Sequence, residues 1–198
     1  MPVRSKDLHG SAPDKSGAAL LLIDVINDFD FPEGDKLLRL ALPVGQNIAR
    51  LKQRAKDAGI PAIYVNDNFG RWRSDFKKIV NHSREQGKGK EFVELLLPDE
   101  DDYFVLKPKH SGFYSTSLSL LLTHLTATNL ILTGIAANNC VLATANDAYM
   151  RDFKVFVPRD CVVSNTDEEN QYALKQMETV LKADTTISSE LDLEKISG

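Results

Sequence analysis

Apolar positions fall along this chain in short blocks of two alternating kinds. From Ala18 the run Ala-Ala-Leu-Leu-Leu-Ile continues unbroken until Asp24, as suits a strand covered on both faces in a parallel sheet. Residues 60–65, 103–106 and 129–135 read as further strands, and 153–157 and 185–187 complete the set. Between them the period lengthens. Pro43 opens a segment with Val44, Ile48, Leu51 and Ala55 at helical spacing, closed by Gly59 and Pro61,. Residues 118–125, 141–150 and 167–181 are helical in the same way, with a shorter helix expected near 92–97. This alternation predicts an α/β fold: a three-layer α/β/α sandwich with a mainly parallel, Rossmann-like sheet.

Two stretches stand outside the pattern. Residues 1–17 are polar, with Gly10, Ser11, Pro13, Ser16 and Gly17, and read as a flexible N-terminal arm before a single domain at 18–198. Residues 66–98 form a polar excursion that carries Trp72. A connection that long points to a functional element or a partner surface.

Charge narrows the partners. The chain has 198 residues and a formal net charge of -4, so no overall basic field steers it to nucleic acid or to an anionic membrane. A small soluble molecule fits better. Two cysteines, Cys140 and Cys161, make no disulfide framework, and the N-terminus lacks the order of a signal peptide. A reduced, cytoplasmic protein is expected. The sequon Asn81-His82-Ser83 then has no use.

In open α/β sheets ligands gather outside the carboxyl ends of the strands. Three chemically capable residues are predicted there: Asp24, Lys107 and Cys140. With Asn138 as N-cap, Cys140 falls in the first turn of a helix, where unpaired amides and the macrodipole favour a thiolate or an oxyanion. A lysine nearby depresses the thiol pKa, and a carboxylate nearby takes its proton. Each residue alone also has a plain reading: Cys140 as a small core residue, Asp24 as a turn cap, Lys107 as a solvated charge before Pro108.

The chain resembles the isochorismatase-like cysteine hydrolases, which include nicotinamidases, N-carbamoylsarcosine amidases and ureidoacrylate amidohydrolases. The resemblance covers 18–188 and rests on three blocks: Leu-Ile-Asp24-Val-Ile-Asn-Asp28-Phe29, Lys107-Pro-Lys-His-Ser111-Gly112-Phe113, and Thr-Gly134-Ile-Ala-Ala-Asn-Asn-Cys140-Val. Thr144, Ala145, Asp147, Ala148 and Asp160 follow in order. It implies the isochorismatase-like hydrolase fold, an Asp24, Lys107, Cys140 triad, a cis peptide between Ile135 and Ala136, and an oxyanion hole from the amides of Ala136 and Cys140. The implied reaction is hydrolysis of a small amide, carbamoyl or ureido compound through a thioester, with Asp24 alternating as base and acid and activating the water. Vinyl ether hydrolysis and a non-catalytic ligand-binding role are the competing readings. The family habit is a homodimer or homotetramer.

Two departures limit the resemblance. Ile26 stands where relatives often have glutamine. Nicotinamidases carry Asp-x-His and further histidines after the second strand, where this chain reads Asn66-Asp67-Asn68-Phe69. No metal and no cofactor are therefore expected, and nicotinamide is disfavoured. Phe29, Asn68, Phe69, Trp72 and Phe113 are the candidate substrate-binding residues, with Arg71 or Arg73 to pair with a substrate carboxylate. His110, three residues past Lys107, reads as a solvated loop histidine, with the mouth of the site as its alternative place, and Cys161 reads as a core residue.

Overall fold

The computed structural model of the chain describes residues 15–198 apart from positions 71, 74 and 86. Most of the expected N-terminal arm, and Arg71, thus lie outside the described residues. Ser16 and Gly17 are tied down, their amides donating to the carbonyls of Leu125 and Ser197.

In chain order the elements are β1 (Ala18–Ile23), α1 (Gly34–Asp57), β2 (Ala62–Asp67), α2 (Phe76–Glu85), α3 (Lys90–Leu95), β3 (Tyr103–Lys107), α4 (Leu118–Leu125), β4 (Asn129–Ile135), α5 (Leu142–Tyr149), β5 (Lys154–Phe156), β6 (Val162–Val163), α6 (Asp167–Thr179) and α7 (Leu193–Ser197). The sheet runs β3-β2-β1-β4-β5, with β6 pairing the far end of β4. Every pairing is parallel. β1 lies at the centre, and alternate residues serve opposite faces, as the pleat dictates. Ala18, Leu20 and Leu22 pack with α1, α2, α3 and α7, and Ala19, Leu21 and Ile23 with α4, α5 and α6. The result is the expected three-layer sandwich. No helix among the described residues is long and apolar enough to cross a membrane.

Register levels the strand ends that matter. Ile23 stands opposite Val65 on one side and Gly134 on the other, and Asp67 stands opposite Lys107. The sheet is built outward from β1 first through β2 and β3, then through β4 and β5, so β1 and β4 flank the switch point where a crevice opens. Gly134 has φ 116°, and a Cβ there would lie 2.0 Å from the Ile23 carbonyl oxygen. Only glycine lets β4 close on β1 at this level.

Several boundaries differ from the sequence reading. α1 begins at Gly34 and runs through Pro43, because Leu37 and Ala41 carry the same buried stripe on to Ile48, Leu51 and Ala55. Burial of that face outweighs the one backbone bond that proline removes. α2 was not expected, although Phe76, Ile79, Val80 and Ser83 are spaced for a buried face. The strand expected at 185–187 does not form. An isolated bridge joins Phe156 to Asp184, and the Asp184 carboxylate then accepts the Thr186 amide, turning the chain out of the sheet. The turn before α5 is π-helical over Ala137–Val141 with Ala136 as its N-cap, so Asn138 is not the cap.

Candidate active site

Three strand ends and one helical turn converge on a buried ion pair. β1 stops at Ile23, and Asp24 turns out of the sheet with φ 52°, its amide still donating to the Val65 carbonyl. One carboxylate oxygen of Asp24 accepts the Asp67 amide at 2.7 Å, and the other lies 2.8 Å from Lys107 Nζ. Lys107 is the last residue of β3 and has 0% exposure, while Asp24 has 6%. An ammonium placed so deep requires a partner charge. The reading of Lys107 as a solvated charge is thereby corrected.

The sulfur completes the group. Lys107 Nζ lies 3.4 Å from Cys140 Sγ, so one ammonium faces both the sulfur and the Asp24 carboxylate. Cys140 reaches this point because the chain after β4 tightens into the π turn, where the Asn138 amide donates to Ser164 Oγ at 3.1 Å. The Ile135–Ala136 peptide is cis. Ala136 directs its carbonyl to the amides of Asn139 and Val141, and its own amide donates to none of the described residues.

Two residues that the sequence did not assign to the site belong to it. Asp67, at the end of β2, brings its carboxylate within 3.5 Å of Lys107 Nζ and caps the Phe69 amide at 2.6 Å. The strand-end argument itself points to it, since β2 lies between the strands of Asp24 and Lys107. His110 is exposed, as expected of a loop histidine, yet its Nδ1 is 3.7 Å from Cys140 Sγ. Its spacing of three from Lys107 was the available signal.

Two further links hold the Lys107 loop against the Cys140 turn. Thr144 Oγ1 accepts the Gly112 amide at 3.0 Å and donates to the Cys140 carbonyl at 2.7 Å. The Ser111 hydroxyl hydrogen-bonds the Asp147 carboxylate. On the other side Asn66, fully buried, clamps the chain beyond Asp24 by bonding both the amide and the carbonyl of Ile26.

Burial sets the protonation states. It pushes the Asp24 carboxyl above the usual range, against the opposing pull of Lys107. The Cys140 thiol is pushed up to about 12, first by burial and then by the Asp24 charge, with Lys107 opposing. For Lys107 burial acts downward, but the negative charges of Asp24 and Cys140 outweigh it and raise the pKa. The Cys140 thiol therefore rests protonated beside the Asp24–Lys107 pair. The sequence reading has a lysine and a helix turn depress the thiol pKa; here desolvation and the neighbouring carboxylate outweigh them and raise it,.

The candidate substrate-binding residues separate. Phe29 is fully buried, edge-on to Phe92 at 5.4 Å, so it is a core residue with no surface for a ligand. Phe113 is likewise buried, packed 6.0 Å from the Phe153 ring and 4.8 Å under the Arg151 guanidinium. Asn68 spends its side-chain oxygen on the Gly70 amide. Phe69 and Trp72 are exposed, Trp72 by 78%, and Arg73 is exposed beside them. Among the described residues no three His, Cys, Asp or Glu gather as metal ligands. The aspartate at the nicotinamidase position is engaged with Lys107, and Phe69 takes the place of the histidine, so the residues present do not fit a metal.

Comparison with known proteins agrees with this architecture. The uncharacterized isochorismatase family protein YaaI of Bacillus subtilis (strain 168) is 43% identical over 177 residues, 89% of this chain and 97% of that protein. The structure of N-carbamoylsarcosine amidase from Thermoplasma acidophilum superposes with a TM-score of 0.67 at 26% identity, covering 88% of this chain and 98% of the other. That of pyrazinamidase/nicotinamidase from Streptococcus mutans UA159 gives 0.66 at 25% identity, covering 85% and 99%. The isochorismatase domain family matches residues 18–189, and the chain belongs to that family.

Proposed function

We propose that the protein hydrolyses the C–N bond of a small amide, carbamoyl or ureido compound, with Cys140 as nucleophile. The observation that carries the reading is the position of Lys107 Nζ, 2.8 Å from Asp24 and 3.4 Å from Cys140 Sγ. Moving the thiol proton to Asp24 carries one negative charge from carboxylate to sulfur, and the same ammonium neutralises it at both places. The net charge of the buried group never changes, so a thiol raised to about 12 is usable without a free thiolate at rest. Burial, which makes Asp24 a better base than an ordinary carboxylate, serves the same transfer.

Sulfur then adds to the carbonyl carbon, and the oxyanion sits between the amides of Ala136 and Cys140. Collapse breaks the C–N bond as Asp24 returns its proton to the departing nitrogen, leaving a thioester on Cys140. Water cleaves the thioester to the acid and restores the thiol. The amidase neighbour supports this chemistry. Nicotinamide is disfavoured because the metal ligands that would hold its ring nitrogen are missing among the described residues. Phe69, Trp72, Asn68 and Arg73 are the substrate wall in this reading. Vinyl ether hydrolysis needs an acid and no thiol, and it leaves the contact between Lys107 and Cys140 without a task.

A panel of small amides, carbamoyl amino acids and ureides, assayed for ammonia release with Cys140→Ala as the blank, tests the proposal. Release that depends on Cys140 supports it, and release unaffected by the substitution contradicts it.

A further inference from the structure

β6 is only two residues long and lies off the main path of the sheet, where it pairs with the last two residues of β4. Gly134 stands opposite Val162 and Ile135 opposite Val163. One step further the same register brings Ser164 level with Ala136. The segment behind it is well anchored. The Gly134 amide donates to the Cys161 carbonyl at 2.9 Å, the Asp160 carboxylate accepts both the amide and the hydroxyl of Ser188 at 2.7 Å, and the Asp160 carbonyl accepts the Asn47 side chain at 2.8 Å. Ser164 therefore ends a short, fixed strut that meets the turn carrying Cys140.

Ser164 is fully buried, and its hydroxyl oxygen accepts the Asn138 amide at 3.1 Å. That bond sorts the amides of the turn. The Ala136 carbonyl takes those of Asn139 and Val141, Ser164 takes that of Asn138, and the Ala136 amide donates to none of the described residues. We infer that Ser164 is the positioning residue of the oxyanion hole, a role that rests on the acyl-transfer reading of the preceding subsection. Asn138 lies midway between Ala136 and Cys140, so a bond on its amide sets how far the turn opens and where the two flanking amides point. Donors of this kind act on charge that develops only during reaction, and their value depends on being held in place beforehand. Without an acceptor at 164 the Asn138 amide turns to water or to the incoming oxygen, and the turn relaxes with it. Asp24 and Lys107 stand at the ends of β1 and β3, away from the strut, so the proton acceptor and the ammonium are held without it. Ser164 thus serves the oxygen of the substrate and leaves the activation of the sulfur to others. No proton passes through it.

Two reagents separate oxygen from sulfur. p-Nitrophenyl acetate acetylates a thiol through a tetrahedral oxyanion and releases nitrophenolate. Iodoacetamide alkylates the same sulfur by displacing iodide from a saturated carbon, and no oxyanion forms. In the unsubstituted chain, mass spectrometry of the peptide containing Cys140 should find each group there. Ser164→Ala should be alkylated at the parent rate, yet its acetylation should slow toward the roughly 10²-fold that a misplacement of about 1 Å costs. Ser164→Cys, which keeps the size of the side chain with a weaker acceptor, should show the same selective loss to a smaller degree. Acetylation at the parent rate in both variants overturns the assignment and leaves the nucleophile intact. Equal loss of both reactions in both variants makes Ser164 a support of the sulfur, and also overturns it. Failure of p-nitrophenyl acetate to acetylate Cys140 in the unsubstituted chain overturns the acyl-transfer reading, and this role with it.

Discussion

Lys107 holds its ammonium 3.4 Å from the sulfur of Cys140 with no exposure to solvent. A lysine buried at the end of a strand is stable only while its charge is matched. Three groups share that duty: Asp24 at 2.8 Å, Asp67 at 3.5 Å and, once ionised, the sulfur.

Lys107→Met leaves the Asp24 carboxylate buried without its cation. Removing one partner of a buried pair costs about 3–5 kcal/mol, and urea unfolding should register a loss of that size. Unchanged stability contradicts the coupling of the two charges. The Asp67→Asn variant, whose carboxylate is farther from Nζ and partly exposed, should lose much less.

Asp24→Asn has opposite effects on sulfur and on turnover. The Asp24 charge helps raise the thiol to about 12, whereas Lys107 lowers it. With the carboxylate gone and the lysine left, thiolate absorbance in the ultraviolet should appear at lower pH than in the unsubstituted chain. Ammonia release should nonetheless vanish, because no acceptor remains for the thiol proton. A thiol that titrates higher in this variant contradicts the account.

The raised thiols also set an alkaline limit on stability. Cys140 moves from 9.0 to about 12 on folding, chiefly by burial, so between those values the folded chain holds a proton that the unfolded chain has lost. Its contribution is complete below pH 9.0 and is lost as pH rises through about 12. Cys161 adds the same slope over the same window. Cys161→Ala should flatten the alkaline fall in urea midpoint, and an unchanged slope contradicts the assignment.

Gly134→Ala puts a Cβ 2.0 Å from the Ile23 carbonyl, at a φ of 116°. Neither backbone can yield without parting β1 from β4. Destabilisation of about 3 kcal/mol or more is expected, read as lost soluble yield and a lowered unfolding midpoint. A midpoint equal to that of the parent contradicts the packing described at the switch point.

Trp72 is 78% exposed, and Trp72→Ala should shift stability by no more than about 0.5 kcal/mol. If residues 69–73 wall the substrate, KM should rise while kcat changes little. An unchanged KM removes Trp72 from the site.

What the sequence disclosed and what it withheld divide on physical lines. β1 and β4 were legible because strands buried on both faces are continuous apolar runs, and the groups at their ends fall where a parallel sheet presents its ligands. Asp24, Lys107 and Cys140 were found by that rule. Their protonation was not, since the thiol pKa depends on how deeply the group is buried and how near Asp24 lies, which no spacing encodes. Phe29 was misplaced because an aromatic in a motif looks the same whether it faces a ligand or packs on Phe92. β6 was missed because a strand of two residues carries no periodic signal, α2 because its short apolar face lies inside the polar 66–98 stretch, and Pro43 hid the first turns of α1. The role of Asp67 was obscured by comparison with a metal-binding pattern that this chain lacks.

The central claim is a covalent bond between substrate and Cys140, formed through a proton held by Asp24. Quenched-flow mass spectrometry on a substrate found by ammonia release tests it most directly. The account predicts a transient acyl group on the peptide containing Cys140 in the unsubstituted chain and none in Asp24→Asn. Turnover that proceeds without that adduct, or that persists in Cys140→Ala, contradicts it.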